Sequence, residues 1–245
     1  MRRGVDIAVW MNFPRLRGQV HRALDHGLET LLDYPRLATI VAALDATYKI
    51  PGDAIEFGTF RGGSAGVILQ NLSPEKILHV CDSFEGMPET TVEDNYHRKG
   101  DFAETWADRV IGGLSQLGNN FWVHKGFFSK TIPEMEANGP DRLSFAHIDA
   151  DLYESVRDAL EFCYPRMDRG SIIILDDYEA PSCEGAKQAV DEFFAYRPEQ
   201  VERLSRPARG CLIGGGNLNK TLLSQARFPG LASMFGGLIF HKSDN

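Results

Sequence analysis

Apolar positions along the chain change period several times. Val20, Ala23, Leu24, Leu28, Leu31 and Leu32 recur every three or four residues, as do Leu37, Ile40, Val41, Leu44 and Tyr48. That spacing lines one face of a helix. It predicts helices over 20–32 and 37–48, separated at Pro35, with Pro51-Gly52 stopping the second. Farther on, the apolar runs become short and nearly continuous, over 54–57, 77–81, 121–125, 143–148 and 171–175. All five read as strands, and 171–175, the most continuous, suits a strand buried on both faces. Helical spacing lies between them at 64–72, 102–117, 152–164 and 185–196, and a short helix is expected to start at 131–133. Residues 201–204 and 236–241 read as two last strands, and the stretch between them, with its three consecutive glycines from Gly214, gives no pattern. Strand–helix alternation of this kind predicts one α/β domain with a mostly parallel sheet and helices on both faces.

Polar residues inside this pattern carry the candidate chemistry. Asp149 and Asp151 follow the run 143–148, and Asp176 and Asp177 end the run 171–175. One helix fits between the runs, so the strands are parallel neighbours and their carboxylates converge. Like charges that close repel unless protons or a cation intervene. Hard oxygen ligands suit Mg²⁺, Mn²⁺ or Ca²⁺.

Upstream, Gly58, Gly62 and Gly63 make a tight turn between the strand 54–57 and a helix with Ser64 near its start. A glycine turn there lets a ligand approach the backbone. The G-x-G-x-x-G spacing is not met, which argues against a dinucleotide-dependent oxidoreductase. Glu56 sits inside a buried strand, costly for a carboxylate unless paired, and would suit a ligand with an ammonium group. Asp82 ends the second strand, where an acidic side chain commonly holds a ribose diol. His147 is either a base or, preferably, a buried hydrogen-bonded histidine. The polar stretch 93–101 is either a lid over the site or a solvated loop.

The 245 residues carry a formal charge of −8. With a pI near 5.4 and no basic stripe, a nucleic-acid partner is not expected. Cys81, Cys163, Cys183 and Cys211 lack C-x-x-C spacing and read as reduced structural residues. No membrane span or secretion signal is evident, so the cytoplasm is the expectation. Homo-oligomerisation stays open.

Four segments resemble the macrocin O-methyltransferase-like family of S-adenosylmethionine- and divalent-metal-dependent enzymes. They are IEFGTFRGGSA (55–65), CDSFEGMPE (81–89), HIDADLYES (147–155) and LDDYEAPSCEGAKQAVDEF (175–193). The resemblance implies a Rossmann-like class I methyltransferase fold of seven strands, the last antiparallel, over 51–245, with residues 1–50 as an added helical cap or oligomer contact. It implies methyl transfer from S-adenosylmethionine to a hydroxyl of a small-molecule acceptor, a sugar or aromatic group of a natural product. Glu56, Gly58 and Ser64 would line the donor's methionine end, with Arg61 among the cofactor contacts. Asp82 would hold the ribose, with Ser83 and Phe84 nearby. Asp149, Asp176 and Asp177 would bind Mg²⁺ or another divalent cation, and Asp151 is the position suggested for the general base. Competing readings are a metal-dependent hydrolase, the nucleotide-dependent oxidoreductase, a non-catalytic binding module, and an ordinary α/β domain with solvated strand ends.

Overall fold

A computed structural model describes residues 13–197, 202–203 and 211–214. Five strands run parallel: β1 (Asp53–Phe57), β2 (Leu78–Asp82), β3 (Phe121–Lys125), β4 (Leu143–Ile148) and β5 (Met167–Leu175). Two short strands, β6 (Glu202–Arg203) and β7 (Cys211–Gly214), complete one seven-stranded sheet in the order β3-β2-β1-β4-β5-β7-β6. β7 runs antiparallel to both neighbours. The expected Rossmann-like class I sheet is therefore present, with its antiparallel strand at the end of the described chain. That strand lies inside the stretch that gave no pattern, because its apolar part, Cys211-Leu212-Ile213, is too short to stand out before the glycines. The strand expected over 236–241 lies outside the described residues.

Seven helices are described: α1 (Pro14–Asp25), α2 (Tyr34–Ala46), α3 (Gly63–Leu69), α4 (Ala107–Ser115), α5 (Phe128–Asn138), α6 (Tyr153–Cys163) and α7 (Glu184–Phe194). Their boundaries correct the sequence reading in four places. The first helix covers 14–25 rather than 20–32. It starts on Pro14, whose fixed φ suits a first turn, and Gly27 at φ 76° then turns the chain out of the helix. Pro35 does not separate two helices but sits in the first turn of α2, where the Asp33 carboxylate accepts the Arg36 backbone N–H at 3.0 Å. α4 is shorter than 102–117, since Phe102 adopts φ 60°, outside the helical region. α5 begins at Phe128, three residues before the expected 131–133, leaving Pro133 inside the helix.

The sheet divides two apolar layers, and strand alternation decides which side chain enters which. In β5, Ile172 and Ile174 join one layer while Ile173 and Leu175 join the other. The first layer includes Leu16 and Val20 of α1 and Leu37, Ile40 and Leu44 of α2. The N-terminal helices thus share the sheet's own core. The second layer packs Phe57 against Val156, Leu160 and Phe162 of α6 and Val190 of α7. Each fully buried side chain of this size contributes about 1.5–3 kcal/mol.

Strand order reverses between β1 and β4, where an open parallel sheet leaves a crevice at the carboxyl ends. Two backbone bonds hold that point: Asp149 N–H donates to Phe57 O and Gly58 N–H to Cys81 O, both at 2.9 Å. Among the described residues, no helix is long and apolar enough to cross a membrane.

Candidate active site

A cleft of about 220 Å³ opens at this crevice. One wall is the glycine turn and the end of β2, with Gly58, Thr59, Ser64, Asp82 and Ser83. The opposite wall is acidic, with Asp149, Asp151 and Asp177. Phe60, Phe102, Phe127 and Phe128 add apolar surface, and Thr30, Leu31, Leu32 and Arg36 close it from the segment joining α1 to α2.

Gly58 makes the two walls meet. Its φ is 82°, and a Cβ built there would lie 1.9 Å from the Asp149 carbonyl oxygen. Only a residue without a side chain permits β1 to approach the end of β4 so closely.

Asp82 acts first on its own loops. One oxygen, Oδ2, accepts the backbone N–H groups of Thr59 and Phe60, both at 2.9 Å, and Oδ1 accepts that of Phe84 at 2.8 Å. Burial raises its pKa, opposed by these three bonds. The carboxylate therefore joins the glycine turn to the turn after β2, while still lining the cleft. Ser83 also lines it, and its hydroxyl donates to Gly86 O at 2.7 Å.

Two residues assigned to the cofactor by the resemblance are placed elsewhere. Arg61 pairs with Glu29 at 2.7 Å and with Glu104 at 3.3 Å, and lies over the Phe60 ring at 4.9 Å, so its charge is engaged outside the cleft. Phe84 adopts φ 54° and turns its ring into the apolar layer next to α1 and α2, where only its backbone N–H serves the site, through Asp82. Glu56 is not among the cleft-lining residues either. It faces His147 across paired β1 and β4, with Oε1 2.9 Å from His147 Nδ1 and both side chains fully buried. The histidine is therefore the buried hydrogen-bonded residue that the sequence favoured. Glu56 Oε2 and His147 Nε2 have no hydrogen-bond partner among the described residues.

At the acidic wall, ligand oxygens of Asp149, Asp176 and Asp177 lie within 4.8 Å of one another. The register brings them together: Ile148 pairs with Leu175, and Asp176 N–H donates to Ile148 O at 3.0 Å. Burial, then the neighbouring carboxylates, hold Asp149 well above the ordinary carboxylate range. Burial likewise brings Asp176 to about 6, with Asp177 adding and Arg36 opposing, and Asp177 to about 7, with Asp151 adding. Asp177 Oδ2 is buried and has no hydrogen-bond partner among the described residues. Three crowded, desolvated carboxylates with a spare oxygen fit a hard divalent cation.

Arg36 is the residue that the sequence did not flag. Its Nη1 pairs with Asp176 Oδ2 and its Nη2 donates to Leu31 O at 3.0 Å, so a guanidinium from α2 already partly neutralises the acidic wall. The capped start of α2, Asp33-Tyr34-Pro35-Arg36, was the available signal, because it fixes Arg36 in the first helical turn. Asp151 takes a left-handed backbone at φ 55°, and burial raises its carboxyl to about 6. Its Oδ1 lies 3.4 Å from Cys183 Sγ, which reads in the sequence only as a structural cysteine, and 3.8 Å from His97 Nε2, which lies in the polar stretch 93–101.

Comparison with known proteins agrees with this geometry. The family model described as macrocin-O-methyltransferase (TylF) matches residues 28–201. The chain is 30% identical over 183 residues to demethyldecarbamoylnovobiocin O-methyltransferase of Streptomyces niveus, covering 68% of each chain. It is 29% identical over 189 residues to 8-demethyl-8-(2,3-dimethoxy-α-L-rhamnosyl)-tetracenomycin-C 4′-O-methyltransferase of Streptomyces olivaceus, covering 71% of this chain and 70% of that one. Among solved structures, the O-methyltransferase NovP superposes with a TM-score of 0.67 at 27% identity, over 77% of this chain and 82% of that one. With the fold, the cleft at the switch point and the matched span in agreement, the chain belongs to the macrocin-O-methyltransferase family and is an S-adenosylmethionine-dependent O-methyltransferase.

Proposed function

We propose that the protein methylates a hydroxyl on a sugar or aromatic group of a natural product, with a divalent cation held by Asp149, Asp176 and Asp177. The observation that carries this reading is the convergence within 4.8 Å of buried Asp176 with half-buried Asp149 and Asp177, the latter two lining one wall of a cleft whose other wall is the glycine turn and Asp82. The acceptor class rests on the relatives. The tetracenomycin relative is a 4′-O-methyltransferase of a rhamnosyl compound, and the other acts on demethyldecarbamoylnovobiocin.

Each wall has its own part in this reading. The Gly58–Thr59 turn, Ser64 and Asp82 receive the donor, and Asp82 keeps acceptor capacity for the ribose after its three backbone bonds. Glu56, two residues before Gly58 and buried behind the cleft wall, is the candidate acceptor for the donor's ammonium, which its Oε2, unpartnered among the described residues, would meet only by turning toward the cleft. Asp149, Asp176 and Asp177 would hold the cation, which when bound lowers the pKa of an acceptor hydroxyl. Asp151 stands on the same cleft wall and takes the hydroxyl proton as general base, its raised pKa bringing it nearer to neutral pH. The cleft walls align oxygen, methyl carbon and sulfur in line, an effect of proximity rather than of further covalent chemistry. Thr30, Leu31 and Leu32 close the cleft beside the acidic wall and are placed to meet the acceptor, giving the N-terminal helices of residues 1–50 a capping role.

A screen of hydroxylated sugars and phenols with labelled S-adenosylmethionine and Mg²⁺ tests this reading. Label transfer that stops with EDTA supports it. Calorimetry that finds no S-adenosylhomocysteine binding, or label transfer indifferent to EDTA, overturns the donor half or the metal half respectively.

A further inference from the structure

Beside the cleft, three side chains of different chemistry meet. His97 Nε2 lies 3.7 Å from Cys183 Sγ and 3.8 Å from Asp151 Oδ1, and Cys183 Sγ lies 3.4 Å from Asp151 Oδ1. They come from three separate places: the loop between β2 and α4, the turn after β4, and the residue preceding α7. Nitrogen, sulfur and oxygen ligands around Zn²⁺ sit at about 2.0–2.3 Å, which in a tetrahedron separates them from each other by about 3.4–3.6 Å. The observed triangle is within about 0.4 Å of that on every side.

Two further features favour a ligand. The imidazole's other nitrogen, Nδ1, faces the Asp101 carboxylate at 3.7 Å, longer than a hydrogen bond but on the side that leaves Nε2 aimed at the cluster, as outer carboxylates orient metal-ligating histidines. Tyr96 and Phe102 pack on the ring at 5.1 and 5.9 Å, which holds its plane. Cys183 immediately precedes α7, where burial and then the Asp177 and Asp151 carboxylates push its thiol pKa up, so the thiol proton would leave only when a cation binds.

We propose that His97, Asp151 and Cys183 bind a thiophilic divalent cation, Zn²⁺ by preference, at a site separate from the carboxylates of Asp149, Asp176 and Asp177. Softness separates the two: Mg²⁺ prefers an all-oxygen set, whereas a thiolate and an imidazole select Zn²⁺ or Cd²⁺. Binding expels the Cys183 thiol proton to solvent and uses the Asp151 carboxylate as a ligand. It also ties the 93–101 loop to α7, fixing a cleft-side segment. The cation would therefore inhibit methyl transfer by engaging the base, without competing for the Mg²⁺ ligands.

The test is a Cd²⁺ titration of the full chain in saturating Mg²⁺, followed by the ultraviolet thiolate-to-Cd²⁺ charge-transfer band. This readout does not depend on methyl transfer, so it stands or falls apart from the catalytic reading. The expected result is one Cd²⁺ per chain, no band in Cys183→Ser, at least tenfold weaker binding in His97→Ala, and about tenfold weaker binding in Asp101→Asn. The last variant keeps all three ligands and guards against loss of folding in the others. A band that survives Cys183→Ser, affinity unchanged in both His97→Ala and Asp101→Asn, or full displacement of Cd²⁺ by Mg²⁺ would overturn the proposal.

Discussion

Replacing Gly58 with alanine tests whether the two walls of the cleft depend on one close approach. The new Cβ would start 1.9 Å from the Asp149 carbonyl oxygen, against the 3.0 Å below which real Cβ contacts are essentially unknown. The strand ends must therefore part by about 1 Å or more. Alanine at φ 82° costs roughly 1–2 kcal/mol for its left-handed backbone alone. Parting the strands also strains the 2.9 Å bond from Asp149 N–H to Phe57 O, a further ~0.5–1.5 kcal/mol. The expected destabilisation is about 1.5–3.5 kcal/mol, which for a chain of this size lowers Tm by roughly 3–14 °C. Because the displaced residue carries a cleft carboxylate, kcat should fall by about 100-fold even in the folded fraction. Calorimetry gives the first quantity and initial rates at a temperature well below Tm give the second. A Gly58→Ala protein with unchanged Tm and kcat would show that Gly58 and Asp149 do not touch as described.

Asp177→Asn should abolish cation-stimulated turnover while the circular dichroism spectrum stays native, and turnover equal to wild type in both Mg²⁺ and EDTA would remove Asp177 from the cation site. For pH, the folded state holds protons on Asp149, Asp176 and Asp177 that the unfolded state releases near pH 4, so cation-free stability should decline as pH rises from about 4 to about 7. Excess Mg²⁺ should flatten that slope, and identical Tm–pH curves in Mg²⁺ and EDTA would contradict the assignment. Asp82→Ala loses the acceptor of three backbone N–H groups as well as a donor contact, so S-adenosylhomocysteine affinity should fall by about 2–3 kcal/mol together with Tm, as read by calorimetry. Arg36→Gln frees Asp176 Oδ2 from a competing cation and should tighten Mn²⁺ binding by about tenfold in a fluorescence titration. Weaker Mn²⁺ binding would mean that Arg36 shapes the site rather than competing in it.

The strands of the parallel sheet were legible because each is a short apolar run closed by a polar or glycine residue. Asp149, Asp176 and Asp177 could be grouped from sequence because one crossover helix dictates parallel neighbours. What escaped the sequence depended on long-range placement. Arg36 meets Asp176 across 140 positions, and no local period marks it. Arg61 and Phe84 were drawn to the cofactor by their place in a motif, yet ion pairing with Glu29 and Glu104 took the first and apolar burial took the second. His97 lies in a polar loop that composition alone leaves open between lid and surface. The first helix was misjudged because Leu28 and Leu31 continue the apolar spacing past Gly27, where the backbone has already turned.

The cleft draws on two kinds of element with different tolerance for change. Its carboxylates follow the ends of β4 and β5, strands in the middle of the sheet whose side chains here are wholly buried, so their positions are fixed by the packed sheet. Its rim comes from connecting segments: Thr30 to Leu32 before α2, Gly86 to Pro88 after β2, and Phe102, with Leu31 64% and Phe102 42% exposed. Substitutions at the exposed rim positions, Leu31 above all, spare the core, whereas Leu32 and Met87 on the same rim pack against it or are buried. Acceptor preference can therefore be re-engineered, or can drift over evolutionary time, by exchanging rim residues one at a time while the methyl-transfer chemistry beneath them stays the same.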